Sequence, residues 1–272
     1  MKSEKTVPDN LRAYLKNTGP AVIAFSGGMD SSYLLYSCRE SGIDAYPCFV
    51  RNGFQTEKEL ESARGLAGSL GFTLDVISAD AFSDADLIKN GEDRCYVCKN
   101  RTFRILLEKA GEYGTGRVAD GTNLSDDPAS RPGMKALGEL GILSPLRECG
   151  LGKAEISELS RAAGLPTWNL PSNSCLATRI PCGTPITRDA LVRVSSAEED
   201  LGNIGLSGIR VRDRGSSAVL ELPEESFGRL DGFRDEAVKI LLKYYSSAQF
   251  SIRRTSGRWR SETFWRRSGA AR

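Results

Sequence analysis

Apolar residues in this chain come in short runs set off by glycine, alternating with stretches whose apolar positions recur at helical spacing. Ala21-Val22-Ile23-Ala24-Phe25 is an unbroken apolar run of strand length, and Ala45 to Val50 is a second. Unbroken runs of this kind suit strands buried on both faces. Thr73 to Ile77 and Arg117 to Asp120 read as a third and a fourth strand. Helical patterns lie between them: a short amphipathic stretch over 8–17, Tyr33 to Arg39, Thr56 to Leu70 closed by Gly71, and Lys99 to Ala110 with Phe103, Leu106, Leu107 and Ala110 on one face. Strands alternating with helices predict an α/β fold, a parallel sheet flanked by helices. Ligands of such sheets bind beyond the carboxyl ends of the strands.

Beyond the fourth strand the pattern loosens. Asp126 to Gly133 is polar and holds Pro128 and Pro132, which predicts a loop over the site. Ile142 to Leu146 reads as a short buried segment, and Lys153 to Ala163 as a helix stopped by Gly164-Leu165-Pro166. Residues 166–187 carry four prolines, so no regular element is expected and the linker is placed there. A helix near Asp189 to Leu201, strands at Gly208 to Arg212 and Ala218 to Leu222, and a helix from Glu236 to Tyr245 then describe a smaller α+β domain. The expected organisation is a nucleotide-binding domain over 1–170, a substrate-binding and oligomerisation domain over 171–252 that includes the Cys175 loop, and a basic, disordered tail over 253–272.

Composition narrows the chemistry. At 40% hydrophobic and 26% charged the 272-residue chain suits a soluble protein. With no apolar run of membrane length and no signal-peptide core, the cytoplasm is the expected compartment. The chain has no histidine, which removes imidazole as base, nucleophile partner and metal ligand. The net charge of +2 misleads: residues 253–272 hold seven arginines and one acid, which leaves 30 basic and 34 acidic side chains elsewhere. A slightly acidic body is poorly suited to tracking a phosphate backbone, so nucleic acid is not expected as a partner.

The candidate chemistry begins directly after the first strand, at Ser26-Gly27-Gly28-Met29-Asp30-Ser31-Ser32. A strand that turns through glycines into a helix start presents free backbone N–H groups and a positive dipole end to an anion. Gly27 and Gly28 let the backbone approach a pyrophosphate, Ser26, Ser31 and Ser32 add hydroxyls, and Asp30 is a cap or a holder of Mg²⁺ through water. The second constellation is cysteine. Cys95-Tyr96-Val97-Cys98 places two sulfurs within reach of one metal or one disulfide, just ahead of the Lys99 helix. Cys175 lies in a polar loop ending in Arg179. Cys38, Cys48 and Cys149 read as small buried hydrophobes. Structural zinc would need Cys182 as a fourth ligand, whereas three cysteines would leave one iron of a 4Fe-4S cluster open.

Taken together, the glycine loop, Gly91 to Arg101, Asp120-Gly121-Thr122-Asn123, Arg131-Pro132-Gly133, Ser144-Pro145-Leu146 and Pro171 to Arg179 resemble the LarE-type ATP-dependent sulfur transferases of the PP-loop ATP pyrophosphatase superfamily. The resemblance runs over about residues 10–245. It implies ATP, Mg²⁺ and an enzyme of nickel-pincer nucleotide cofactor biosynthesis that adenylates a carboxylate of pyridinium-3,5-dicarboxylate mononucleotide and replaces oxygen with sulfur. It implies ATP contacts from Ser26, Gly27, Gly28, Asp30, Ser31, Ser32, Asp120 and Gly121. It further implies a substrate clamp of Arg179, Arg210 and Arg212, catalysis by Asp30, Cys95, Cys98 and Cys175, and a 4Fe-4S cluster on the three cysteines that carries sulfide. A sulfide or sulfur-donor partner and a homo-oligomer belong to the same expectation. The alternatives are sacrificial sulfur transfer from Cys175 without a cluster, and tRNA thiolation by a PP-loop enzyme. Two departures stand out: Arg214-Gly215 replaces a His-Gly usual after the Arg pair, and the Arg- and Trp-rich ending is unlike the family's.

Overall fold

The computed structural model describes residues 6–129, 131–170, 174–224, 232–253 and 259–266. The chain divides into two compact units, one formed by Met1–Leu87 and Glu92–Asn173, the other by Ile88–Gly91 and Ser174–Arg272. Among the described residues no helix is long and apolar enough to cross a membrane.

The first unit is a four-stranded, all-parallel sheet with strand order β3-β2-β1-β4: β1 is Ala21–Ala24, β2 Ala45–Arg51, β3 Asp75–Ser78 and β4 Val118–Ala119. The chain runs from β1 through β2 to β3 on one side and then crosses back to place β4 on the other side of β1, whose carboxyl end is therefore the crevice where such sheets bind ligands. The helices are α1 (Asp9–Thr18), α2 (Met29–Glu40), α3 (Glu57–Ser69), α4 (Ala85–Ile88), α5 (Arg94–Glu112), α6 (Gly133–Glu139), α7 (Pro145–Glu148) and α8 (Lys153–Ala162). They cover both faces of the sheet. Leu11, Tyr33, Leu34, Ala63, Leu146 and Ile156 pack with Ile23 in one layer, while Val22 packs with Cys48, Phe103, Leu106 and Leu137 in the other. Alternate residues of one strand thus serve two cores, which is why β1 reads as a continuous apolar run.

Two helices start earlier than their patterns predict. α2 begins at Met29, so Asp30, Ser31 and Ser32 form its first turn. α5 begins at Arg94, which corrects the expectation of a start at Lys99: Cys95 and Cys98 lie within the helix. Cys, Tyr and Val are weak helix formers, and nothing local marks this start. Packing on α6 accounts for it, through a 2.6 Å hydrogen bond from Tyr96 Oη to Glu139. A Cβ on Gly133 would fall 2.9 Å from the Lys99 stem, so a larger residue here would displace that side chain.

In the second unit the sheet order is β5-β6-β7-β8, with β5 Arg210–Arg214, β6 Ser217–Pro223, β7 Ser247–Arg253 and β8 Trp259–Arg266. β5 and β6 are antiparallel, β6 and β7 parallel, β7 and β8 antiparallel. α9 (Arg188–Asn203) and α10 (Arg234–Tyr244) contribute Ala197, Leu201, Ala237 and Leu241 to a core shared with Val211, Leu220 and Phe250. β8 corrects the reading of the tail as disordered throughout: residues 259–266 pair along the edge of β7. Residues 254–258 and 267–272 of that tail lie outside the described residues. A short 3-10 turn, Leu176–Arg179, also forms in the proline-rich stretch expected to be irregular. The Ile88–Gly91 segment joins this unit through Asn90. That buried residue adopts φ 59° and donates from its carboxamide to the carbonyls of Pro181 (2.7 Å) and Thr184 (2.9 Å).

Candidate active site

The glycine loop leaves the carboxyl end of β1 and enters α2 with Gly28 as its N-cap. Gly27 adopts φ 73°, and a Cβ there would lie 3.0 Å from Ala63 of α3. Both the left-handed backbone and the contact with α3 therefore require glycine, whereas Gly28 is in an ordinary extended conformation. Ser32 Oγ donates to the Gly28 carbonyl at 2.6 Å, and Ser31 Oγ lies 3.2 Å from both that carbonyl and Ser26 Oγ. The serines thus hold the loop's shape. The backbone N–H groups of the first turn lack intrahelical partners, an arrangement that suits an anion.

The turn after β4 meets this loop. Gly121 is pressed against the start of α2, where a Cβ would sit 2.8 Å from Ser31 N and 3.1 Å from Asp30. Asp120 is buried and accepts from Ser144 Oγ (2.8 Å), Thr122 Oγ1 (2.6 Å) and Thr122 N (3.1 Å), with Lys99 Nζ 3.7 Å away. Asn123 donates from Nδ2 to Asp30 Oδ1 at 3.1 Å. Asp126 accepts from Asn123 N and pairs with Arg131 at 2.8 Å. Asn123 and Asp126 were not among the residues singled out as site candidates. Their signal was positional, since both follow the turn at the end of β4.

Burial pushes the Asp30 carboxyl above the ordinary 3.8, and the Asp126 charge pushes the same way, against the Asn123 hydrogen bond and the Lys153 and Arg131 charges. The folded chain therefore keeps a proton on Asp30 at pH values where the unfolded chain has released it. This contribution to stability is full below the unfolded value and is lost as pH rises through the folded one. Asp30→Asn should accordingly gain stability relative to the parent chain between acid and neutral pH in the nucleotide-free protein. Urea unfolding of both chains across that range checks this, and a constant difference would contradict it. A carboxylate held charged against this tendency suits a cation, so Asp30 fits Mg²⁺.

The cysteines sort by environment. Burial pushes the thiols of Cys38 and Cys48 up to about 12, which makes both inert. Cys149 is also raised, mainly by burial. Cys95 and Cys182 are exposed, and Cys98 and Cys175 are half-buried. Cys95 and Cys98 lie one turn apart on α5, and Lys99, the next residue, reaches Asp120. The C-x-x-C helix and the nucleotide loop thus share one unit. Both sulfurs face N–H donors: Arg94 Nη2 is 3.6 Å from Cys95 Sγ, and Asn52 Nδ2 is 3.5 Å from Cys98 Sγ. Donors of this kind stabilise thiolates and the thiolate ligands of iron–sulfur clusters, so this pair fits the cluster expectation. Among the described residues no three metal-ligating side chains are gathered.

The other candidates belong to the second unit. Arg179 is only 4% exposed and is committed within the chain: Nε and Nη2 donate to Glu198 at 2.8 and 3.1 Å, and Nη1 to the Ser174 carbonyl at 2.7 Å. Its guanidinium anchors the Cys175 loop to α9. Glu198, which also accepts from Val211 N, carried no sequence signal. Arg210 and Arg212 share a face of β5. Arg212 Nη1 donates to the Thr178 carbonyl (2.5 Å), and Nη2 makes a charge contact with Glu221 Oε2 at 2.8 Å that lacks hydrogen-bond alignment.

No family model matches the chain. It is 32% identical over 243 residues to the pyridinium-3,5-bisthiocarboxylic acid mononucleotide synthase of Lactiplantibacillus plantarum, covering 89% of this chain and 88% of that protein. An uncharacterized protein of Methanocaldococcus jannaschii is 34% identical over 87% of this chain and 90% of its own length. A tRNA-specific 2-thiouridylase of Clostridium botulinum is 24% identical over 88% of this chain and 68% of its own length.

Proposed function

This chain belongs to the LarE family of PP-loop, ATP-dependent sulfur transferases, and from that premise we propose that it adenylates a carboxylate of pyridinium-3,5-dicarboxylate mononucleotide and converts it to the thiocarboxylate. The observation that carries the reading is the joining, within one unit, of a phosphate cradle and a C-x-x-C helix through Lys99 and Asp120.

A carboxylate is a poor electrophile because neither oxygen leaves. Its attack on the α-phosphorus of ATP expels pyrophosphate and makes AMP the leaving group. The backbone N–H groups of the Gly27–Asp30 turn receive the departing pyrophosphate. Mg²⁺ held near Asp30 would offset its charge. Sulfur then attacks the acyl carbon and expels AMP, a step that needs no general base, because sulfide or thiolate is already the nucleophile. That requirement suits a chain without histidine. A 4Fe-4S cluster on Cys95, Cys98 and Cys175 would supply the sulfide. Arg210 and Arg212 are assigned to the phosphate of the mononucleotide. Arg179 shapes the loop that presents Cys175. We also assign the reaction to the cytoplasm and to a homo-oligomer, with residues 1–170 taking ATP and 171–252 taking the mononucleotide.

Anaerobic incubation of the full chain with ATP, Mg²⁺, sulfide and the pyridinium mononucleotide should release AMP and pyrophosphate together with a product in which sulfur replaces oxygen. Thiolation of tRNA by the same preparation, with the mononucleotide left unchanged, would overturn the substrate assignment.

A further inference from the structure

We propose that a notch at the amino end of the parallel sheet is a second small-molecule site, built to take the edge of a guanine-type base. The strand register opens it. The first β2–β3 pair is Cys48 with Asp75, so Ala45, Tyr46 and Pro47 run on with no strand beside them on that side. A cavity of about 360 Å³ fills the gap between these residues and residues 71–75. That volume falls within the range of small-molecule sites. The cavity lies at the amino ends of the strands, whereas the glycine loop leaves the carboxyl end of β1, so the two sites share no residue.

Strand geometry decides what faces the notch. The carbonyls of Asp44 and Cys48 accept from Ala21 N and Phe25 N, so the even-numbered residues here pair with β1. Ala45 and Pro47 therefore turn their backbone groups the other way, toward the notch. Among the described residues neither the N–H nor the carbonyl of Ala45 has a hydrogen-bond partner. Pro47 has no N–H, so the open edge offers a lone donor, too little for an added peptide strand. A ring with an acceptor beside a donor satisfies both groups of Ala45 at once. The walls are aromatic. Tyr46 stacks on Tyr113 with centroids 4.2 Å apart and 13° between the planes, and Phe72 also lines the cavity. Rings already packed together present a surface that a ligand need not order. Asp75 adds a second acceptor. Its Oδ2 accepts from Tyr113 Oη and faces Lys109 Nζ, each at 3.0 Å, while Oδ1 has no partner among the described residues. That oxygen favours a ring with a further N–H, which guanine supplies through its exocyclic amino group. Lys109 pairs with both Asp75 and Glu112, so the rim is net negative and disfavours a phosphate. The site suits a free base or a nucleoside, not a nucleotide.

Calorimetric titration of the full chain with guanosine tests this. Guanosine should bind, and 1-methylguanosine, whose methyl group replaces the ring N–H, should bind at least about tenfold more weakly. Tyr46→Ala removes the wall and should weaken guanosine by about tenfold as well. Should that variant fail to fold, the two nucleosides on the parent chain decide. Absence of guanosine binding, affinities for the two nucleosides within about twofold, or displacement of guanosine by AMP would overturn the proposal. A folded Tyr46→Ala chain that binds guanosine as the parent chain does would overturn it too. No mononucleotide or sulfide enters this test, so its outcome is separate from that of the sulfur-transfer assay.

Discussion

Asp30→Ala should reduce pyrophosphate release with the mononucleotide by about 100-fold or more. The carboxylate lies in the first turn of α2, is oriented by Asn123, and stands where Gly121 closes on the helix start. Its burial opposes its own ionisation, so the folded chain gains nothing from the charge itself. That separates the two explanations for lost activity. A variant that unfolds would lose its unfolding transition and adenylation together. One that loses only the charge should unfold no earlier than the parent chain while pyrophosphate release disappears. Release at the parental rate would remove Asp30 from the site.

Cys175→Ala should abolish thiocarboxylate formation, a loss of about 1000-fold or more, while pyrophosphate release continues. The loop is pinned through backbone and neighbouring atoms: Thr178 Oγ1 donates to the Cys175 carbonyl at 2.8 Å, and Arg179 reaches the Ser174 carbonyl. Neither contact uses the sulfur, so alanine should preserve the loop. Continued thiolation would remove Cys175 from its role. Intact mass of the parent chain after turnover then separates the two sulfur sources. A cluster route leaves the chain unchanged, whereas a sacrificial route removes the elements of hydrogen sulfide from Cys175.

Much of the fold was legible as pattern. β1 and β2 announced themselves as apolar runs because each lies inside a parallel sheet with helices on both faces. The Thr56 start of α3 was legible as well, because its capping box with Glu59 is a local device. The start of α5 was not, since Cys95-Tyr96-Val97-Cys98 gains its helical form from α6 through Glu139 and Gly133. β8 was hidden for a similar reason: Arg260, Glu262 and Arg266 interrupt its aromatic positions, and it forms because β7 offers it an edge.

The candidate site divides along the same line. The chain's order of residues determines by itself the strand, the glycine turn and the three-residue spacing of the two sulfurs, because those depend on neighbours no more than a few positions distant. Which side chain meets which across long separations was decided only in three dimensions. Asn123 reaches Asp30 across 93 positions, Lys99 reaches Asp120 across 21, and Asn52 reaches Cys98 across 46. Arg179, expected at the substrate, meets Glu198, 19 residues on, because α9 brings that carboxylate beside it. Local chemistry names the groups, and the sheet's parallel order decides which of them share an end.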